Sequence, residues 1–170
     1  ARPDLELLER LYHAHVHTIP FATIDVLLGT HPGVGPAAVQ RQLIDRRRGG
    51  YCFEHTQLFS AALEDLGFVV RRRLGRVGGS SRTRTHMSAE VRLGEQRYLV
   101  DPGFGSGITG PISLAPGASR QEPGGEYTIQ HADSEGVETW SLLRNGTSEH
   151  AVDALPVVPI DVRTGHLITS

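Results

Sequence analysis

A single cysteine, Cys52, lies in the segment RRRGGYCFEH, residues 46–55, behind two glycines and at the head of an apolar pattern with helical spacing. In YCFEHTQLFSAALEDLGF, Cys52, His55, Phe59, Leu63 and Leu66 fall within one broad helical face, and Gly67 supplies a stop. The spacing predicts a helix with Cys52 in its first turn. There the unpaired backbone N–H groups and the positive end of the helix dipole favour an anionic sulfur, and Gly49 and Gly50 let the preceding backbone approach closely. That placement suits a nucleophile. It also suits a small buried apolar residue, because free cysteine is among the most buried types.

A nucleophilic thiol needs a base, and the chain has nine histidines. His55 lies one turn beyond Cys52 and also reads as a packing or surface residue. His13, His15 and His17 alternate as ligands on a strand would, but DLELLERLYHAHV has a helical pattern, so they diverge and no metal site is expected. His86 is placed differently. In THMSAEVRL, Met87, Ala89, Val91 and Leu93 alternate with His86, Ser88, Glu90 and Arg92, which predicts a half-buried strand with His86 on its polar face. The following LGEQ puts Gly94 first in a two-residue type II′ loop, pairing Leu93 with Gln96 and hence Ser88 with Asp101. His86 and Asp101 then become diagonal neighbours on one face. A carboxylate there fixes the imidazole's tautomer and leaves its other nitrogen for Cys52. The alternative makes Asp101 a strand-end carboxylate capping the turn at Pro102.

These residues depend on two kinds of element. Up to about Leu66, apolar residues recur at helical spacing: Leu5, Leu8, Leu11, Tyr12 and His15 form one face, Val39, Leu43 and Ile44 another, with TIPFATIDVLLG as an apolar connector. From Gly67 the texture changes to short runs between turn residues (VVRRRLGRV, THMSAEVRL, RYLVD, EYTIQ, VETWSLL), which predicts a small antiparallel barrel or sandwich. The expected fold class is α+β. Residues 1–66 form a helical domain with the cysteine, 67–155 a β-domain with His86 and Asp101, and 156–170 a closing segment. The ending PVVPIDVRTGHLITS lacks a helix cap and reads as an interruption, and the absent initiator Met reads as a trimmed start.

Composition narrows the classes. The 170 residues, 38% of them hydrophobic, suffice for a core, and 17 basic against 19 acidic residues leave a net charge of -2. That balance offers no broad basic face for nucleic acid or an anionic membrane. Every cation is arginine, a bias that carries no mechanism. One cysteine makes no internal disulfide, no apolar run approaches membrane-spanning length, and ARPDLELLER lacks the layout of a signal peptide, so a cytoplasmic location is expected.

The three ordered motifs, RRRGGYCFEH, RTHMSAEVRLGEQRYLVDPGFG and HTIPFATIDVLLG, resemble the arylamine N-acetyltransferases, with their R-G-G-x-C-x-E, T-H, V-D-x-G-F-G and I-P-F-E-N-L-D segments. The likeness covers nearly the whole chain. Its Cys-to-His and His-to-Asp separations, 34 and 15 positions here, match as well. The resemblance implies a catalytic triad of Cys52, His86 and Asp101 in a papain-like arrangement, on a helical bundle packed against an antiparallel β-barrel. It also implies an α/β lid as a third domain, missing from this chain, which is expected to stop where the lid begins. The implied reaction moves an acetyl group from acetyl-coenzyme A, as co-substrate, through an acetyl-cysteine to an arylamine, hydrazine or arylhydroxylamine.

Within that resemblance, Phe21 and Phe104 wall the aromatic acceptor, Thr85 belongs to the T-H pair, and Gly103, Gly105 and Gly107 offer backbone N–H groups to coenzyme A. Arg71, Arg72 and Arg73 read either as contacts to a coenzyme A phosphate or as a solvated edge. No metal is implied. Three departures stand out: Ala22 and Thr23 replace a carboxylate and an amide, and Pro102 follows Asp101. Arg48, deprived of the family's Glu, is expected to turn to Glu54. Macrolactam-forming amide synthases share the thiol chemistry, and thiol peptidases or transglutaminase-like enzymes share the triad. A pseudoenzyme would keep only the fold.

Overall fold

The computed structural model describes residues 2–78, 82–134 and 136–169. Helix α1 (Leu5–Thr18) is capped by Asp4, whose side chain accepts the Leu7 N–H at 2.8 Å. A short helix α2 (Ile24–Leu27) interrupts the connector, and α3 (Pro36–Gln40), opened by proline, runs into a π-helical turn at Arg41–Asp45. Helix α4 (Cys52–Asp65) starts at the cysteine, with Glu54 accepting the Tyr51 N–H at 3.2 Å, and closes on Gly67 at a φ of 88°.

Eight strands follow: β1 (Val69–Val77), β2 (His86–Leu93), β3 (Gln96–Val100), β4 (Ile112–Ser113), β5 (Ser119–Glu122), β6 (Gly125–Ser134), β7 (Val137–Arg144) and β8 (Thr147–Asp153). All pairings are antiparallel, in the order β4-β3-β2-β1-β8-β7-β6-β5, and the edge strands β4 and β5 return beside each other. The sheet is thus a nearly closed barrel. The ending PVVPIDVRTGHLITS, in which the sequence reading assigns no helix, forms α5 (Pro159–Thr169), with proline as its first residue. Its Gly165 lies flat on the α4 residue Phe53: a Cβ there would stand 2.6 Å from the ring. No described helix is long and apolar enough to cross a membrane.

The β2–β3 register is the expected one: Leu93 faces Gln96 across a two-residue turn, Gly94 has a φ of 62°, and the ladder runs back to Ala89 opposite Val100. The expectation of a half-buried β2 is overturned. His86 to Val91 are buried on both faces. Ala89 and Val91, with Tyr98 and Val100 of β3, pack against Leu8, Tyr12, Phe59 and Leu63 of α1 and α4. The opposite face looks into the barrel, where Leu99 meets Trp140, Leu142 and Val152. Polar residues on that inner face require partners, and Glu90 has one in the buried Arg73, at 2.6 Å.

Tyr12 ties the helical layer to the barrel. Its hydroxyl donates to the Ile108 carbonyl and accepts the Asp101 N–H, both at 3.0 Å and buried. Tyr12→Phe strands a donor and an acceptor out of water, a loss of about 1–3 kcal/mol. Urea unfolding is expected to show a lower midpoint with an unchanged slope.

Candidate active site

Cys52 occupies the first position of α4 and is 6% exposed. Two close approaches hold it there. Phe21 bridges Gly50 in a short parallel pairing, with the Ala22 N–H donating to the Gly50 carbonyl at 2.8 Å, which pins the RGG segment to the connector. On the other side Gly103 presses on the cysteine: a Cβ at 103 would lie 2.5 Å from Cys52 Cα and 3.1 Å from the Cys52 carbonyl oxygen. Only glycine admits that contact. The sulfur stands 3.9 Å from the Thr85 carbonyl, in the loop that leads into β2.

His86 opens β2 on its barrel-inner face and donates Nε2–H to Asp101 Oδ2 at 2.8 Å, with both side chains buried. This leaves Nδ1 for the sulfur. Burial opposes a charge on His86, yet the Asp101 carboxylate and its hydrogen bond, with Cys52 acting in the same direction, push its pKa up to about 10. Burial likewise opposes ionisation of Asp101, but His86 and then His150 outweigh it and hold the carboxyl below its usual value.

His150, which the sequence reading did not single out, completes the group. It projects from β8 into the barrel, fully buried, with Nε2 3.3 Å from the same Asp101 oxygen and its ring 4.6 Å from that of His86. Burial, and after it the His86 charge, push its pKa down to about 4 against the pull of Asp101, so its imidazole is neutral. Phe104 covers both rings at centroid distances of 5.0 Å. Gly75, paired with His86 across β1 and β2, makes room: a Cβ there would lie 3.6 Å from the His150 ring and 3.0 Å from the Ala151 carbonyl oxygen. The one signal for His150 was its place in TSEHAVD, a run not recognised as a strand. Its ligand atom lies within 4.8 Å of those of His86 and Asp101, but these atoms are the ones engaged around the carboxylate, and we assign no ion to them.

The other candidates separate. Phe21 is 46% exposed and sits over Gly105, whose φ of 81° turns the chain away from β3. Thr85 contributes its carbonyl, while its hydroxyl donates back to the Thr83 carbonyl at 3.5 Å. His55 is not free to act as a base: its Nε2 is 3.3 Å from the Pro20 carbonyl and its Nδ1 is 2.9 Å from His15 Nε2. Glu54 is not the partner of Arg48. It meets His31 at 3.2 Å, whereas Arg48 pairs with Asp25 at 3.5 Å, because the capping bond to Tyr51 turns Glu54 inward. Arg72 and Arg73 are held by Glu64 and Glu90, each at 2.6 Å, so they are not free cations; Arg71 is exposed, and at these three positions β1 pairs with β2 alone.

A thiol at a helix N-terminus, against an imidazole fixed by a buried carboxylate, defines the class. The chain belongs to the N-acetyltransferase family, whose model matches residues 4–154. It is 39% identical to the arylamine N-acetyltransferase / N-hydroxyarylamine O-acetyltransferase of Salmonella typhimurium over 145 residues, covering 82% of this chain and 50% of that one. It is 40% identical to the arylamine N-acetyltransferase of Mycolicibacterium smegmatis over 164 residues, covering 87% and 60%. The arylamine N-acetyltransferase structure from Nocardia farcinica superposes with a TM-score of 0.89 at 31% identity, over 99% of this chain and 63% of that one. The Mycobacterium marinum structure in complex with CoA gives 0.84 at 30%, over 99% and 66%. The chain thus spans about half to two thirds of the length of these relatives.

The pKa shifts set a pH signature. A raised His86 contributes stability that is complete below its ordinary value of about 6.5 and is lost as pH rises through about 10. Asp101, lowered, contributes stability above the usual carboxylate range and loses it in acid. His150, neutral when buried, weakens the fold as pH falls from about 6.5 toward 4. The difference in melting temperature between wild type and His86→Gln is therefore expected to shrink between pH 7 and pH 10. A constant difference across that range would show that the ion pair does not form.

Proposed function

We propose that this chain carries the acetyl-transfer centre of an arylamine N-acetyltransferase, with Cys52, His86 and Asp101 as its catalytic residues. The observation that carries the reading is the 2.8 Å His86–Asp101 hydrogen bond beside the sole cysteine at the head of α4. The Cys52 thiolate attacks the thioester carbonyl of acetyl-coenzyme A; the carbon–sulfur bond to coenzyme A breaks, and the leaving thiolate takes the proton from the His86 imidazolium. An arylamine, hydrazine or arylhydroxylamine then attacks the acetyl-cysteine, His86 accepts the proton released from nitrogen, and Cys52 departs as thiolate. Aromatic amines suit this route because they remain neutral nucleophiles near pH 7. The first-turn N–H groups of α4, left unpaired by helix geometry, are the nearby backbone donors that this reading gives to the oxyanion.

In this reading residues 1–66 supply the nucleophile and residues 67–155 supply the base and its carboxylate. Residues 156–170 carry α5, whose Gly165 packs on Phe53 of α4. Phe21 and Phe104 wall the acceptor, and Thr85, Gly103 and Gly105 line the approach of the coenzyme A thioester, as the family relation and the placement of these residues around Cys52 support. Intact-mass analysis after incubation with acetyl-coenzyme A should show one added acetyl group, mapped to Cys52 and absent in Cys52→Ser. An acetyl group that persists in Cys52→Ser would overturn the thioester mechanism.

A further inference from the structure

We propose that His150 is a positioning residue: its Nε2–H steadies the Asp101 carboxylate when His86 gives up its charge, and so lets His86 serve as the base in the second half of the transfer. This deepens the function proposed above and rests on it. Nε2 of His150 lies 3.3 Å from Asp101 Oδ2, and electrostatics favour a proton over a lone pair on a nitrogen that close to a carboxylate, so the proposal places the hydrogen on Nε2. Neither nitrogen of His150 makes an aligned hydrogen bond, and Asp101 Oδ1 is buried without a partner among the described residues. Both groups are therefore open to a hydrogen bond with each other once His86 loses its charge.

The need for such a donor follows from the charges in each state. In the resting site Asp101 faces an imidazolium, which itself lies beside Cys52. Once the acetyl group is on Cys52, the sulfur carries no charge and His86 has passed its proton to the departing coenzyme A. Asp101 is then a buried anion with no counter-ion, a state that draws a proton back to His86. A protonated His86 cannot accept the proton of an incoming amine. The His150 N–H offsets part of that demand without adding charge, because burial keeps its ring neutral above about pH 4. Other titratable groups around the cluster are Cys52 and His55 of α4, Tyr12 of α1, and Glu149 of β8, which lies 3.7 Å from Arg144 of β7. The Gly103 backbone N–H also bears on the carboxylate and helps to hold its pKa down, but no group makes an aligned hydrogen bond to Oδ1 among the described residues.

The test separates the half-reactions. Acetylation of Cys52 by acetyl-coenzyme A and release of the acetyl group to an arylamine are each followed in single turnover against pH, for wild type, His150→Phe and His150→Gln. His150→Phe is expected to acetylate within about threefold of wild type. Its transfer to amine is expected to fall about tenfold at pH 7, with the pH profile moved up by about one unit, the shift that corresponds to a tenfold change in proton affinity. His150→Gln, which keeps an N–H donor, should recover most of the loss. An unshifted transfer profile in His150→Phe, or an equal fall in both half-reactions, overturns the proposal. Should His150→Phe not fold, ¹⁵N NMR of the wild type decides: a proton on His150 Nε2 before and after acetylation supports it, and one on Nδ1 overturns it. Failure of the wild type to take up an acetyl group would overturn the functional reading, and this inference with it. A normal adduct with an unshifted profile overturns this inference alone.

Discussion

Asp101 lies 2% exposed at the inner end of β3, where an ionised carboxylate without a counter-charge would cost several kcal/mol or take up a proton. Two side chains converge to prevent that. His86 of β2 supplies a positive charge at 2.8 Å and His150 of β8 brings a second ring nitrogen to 3.3 Å, while Tyr12 of α1 accepts the residue's own backbone N–H at 3.0 Å and fixes its place. The ring is thereby fixed in one orientation, with Nε2 committed to the carboxylate and Nδ1 left for the sulfur. Removing the carboxylate would leave two imidazoles with nothing to organise them. The barrel end is therefore polar inside and capped by Phe104 instead of being filled with aliphatic side chains.

Holding His86 inside the barrel creates a second requirement, since the sulfur belongs to a helix outside it. Helix and barrel must be locked at fixed spacing or the thiol and imidazole drift apart. Thr56 of α4 donates to the Met87 carbonyl of β2 at 2.8 Å, one residue beyond His86, and Gly103 brings the chain after β3 onto the cysteine's own Cα. The loop before β2 is held as well: Arg84 reaches Asp153 of β8 at 2.9 Å, while its carbonyl borders Gly165 of α5. These contacts are short and mostly between rigid backbone segments. They leave little freedom for the sulfur relative to the ring.

How much of this could be read in the chain follows from which signals are local. The pairing of His86 with Asp101 was legible because a two-residue turn at Gly94 dictates register, and register dictates face. The helix that begins at Cys52 was legible from its apolar spacing and from Gly67. His150 was not, because TSEHAVD mixes polar and small residues and shows no alternation. Its partner lies on β3, reached only by closing the sheet through β1. The two-sided burial of β2 escaped for a related reason: in a barrel a polar face can turn inward when its charges are paired, and alternation does not distinguish that from solvent. Helix α5 was missed because its buried face is only Val162 and Gly165, too sparse a stripe for periodicity to register. Arg48 and Glu54 have suitable charges, yet the helix cap turns the carboxylate away from the arginine.

The departures at Ala22 and Thr23 can be placed by the same alternation. The connector pairs through Phe21 with Gly50, so successive side chains point to opposite sides. Phe21 turns toward Gly105 and the cysteine. Ala22 turns toward Gly49, into a cavity of about 410 Å³ lined also by Asp25, His31, Gln42, Arg48 and Glu54. Arg48 is largely exposed on a 3.5 Å contact with Asp25, a pair worth little in water. The connector is held instead at the Pro20 carbonyl, which lies 3.3 Å from the His55 ring of α4 and accepts the Gly50 N–H at 3.3 Å. Neither contact involves the side chain at position 22, so the small Ala22 leaves the connector's attachment to α4 intact.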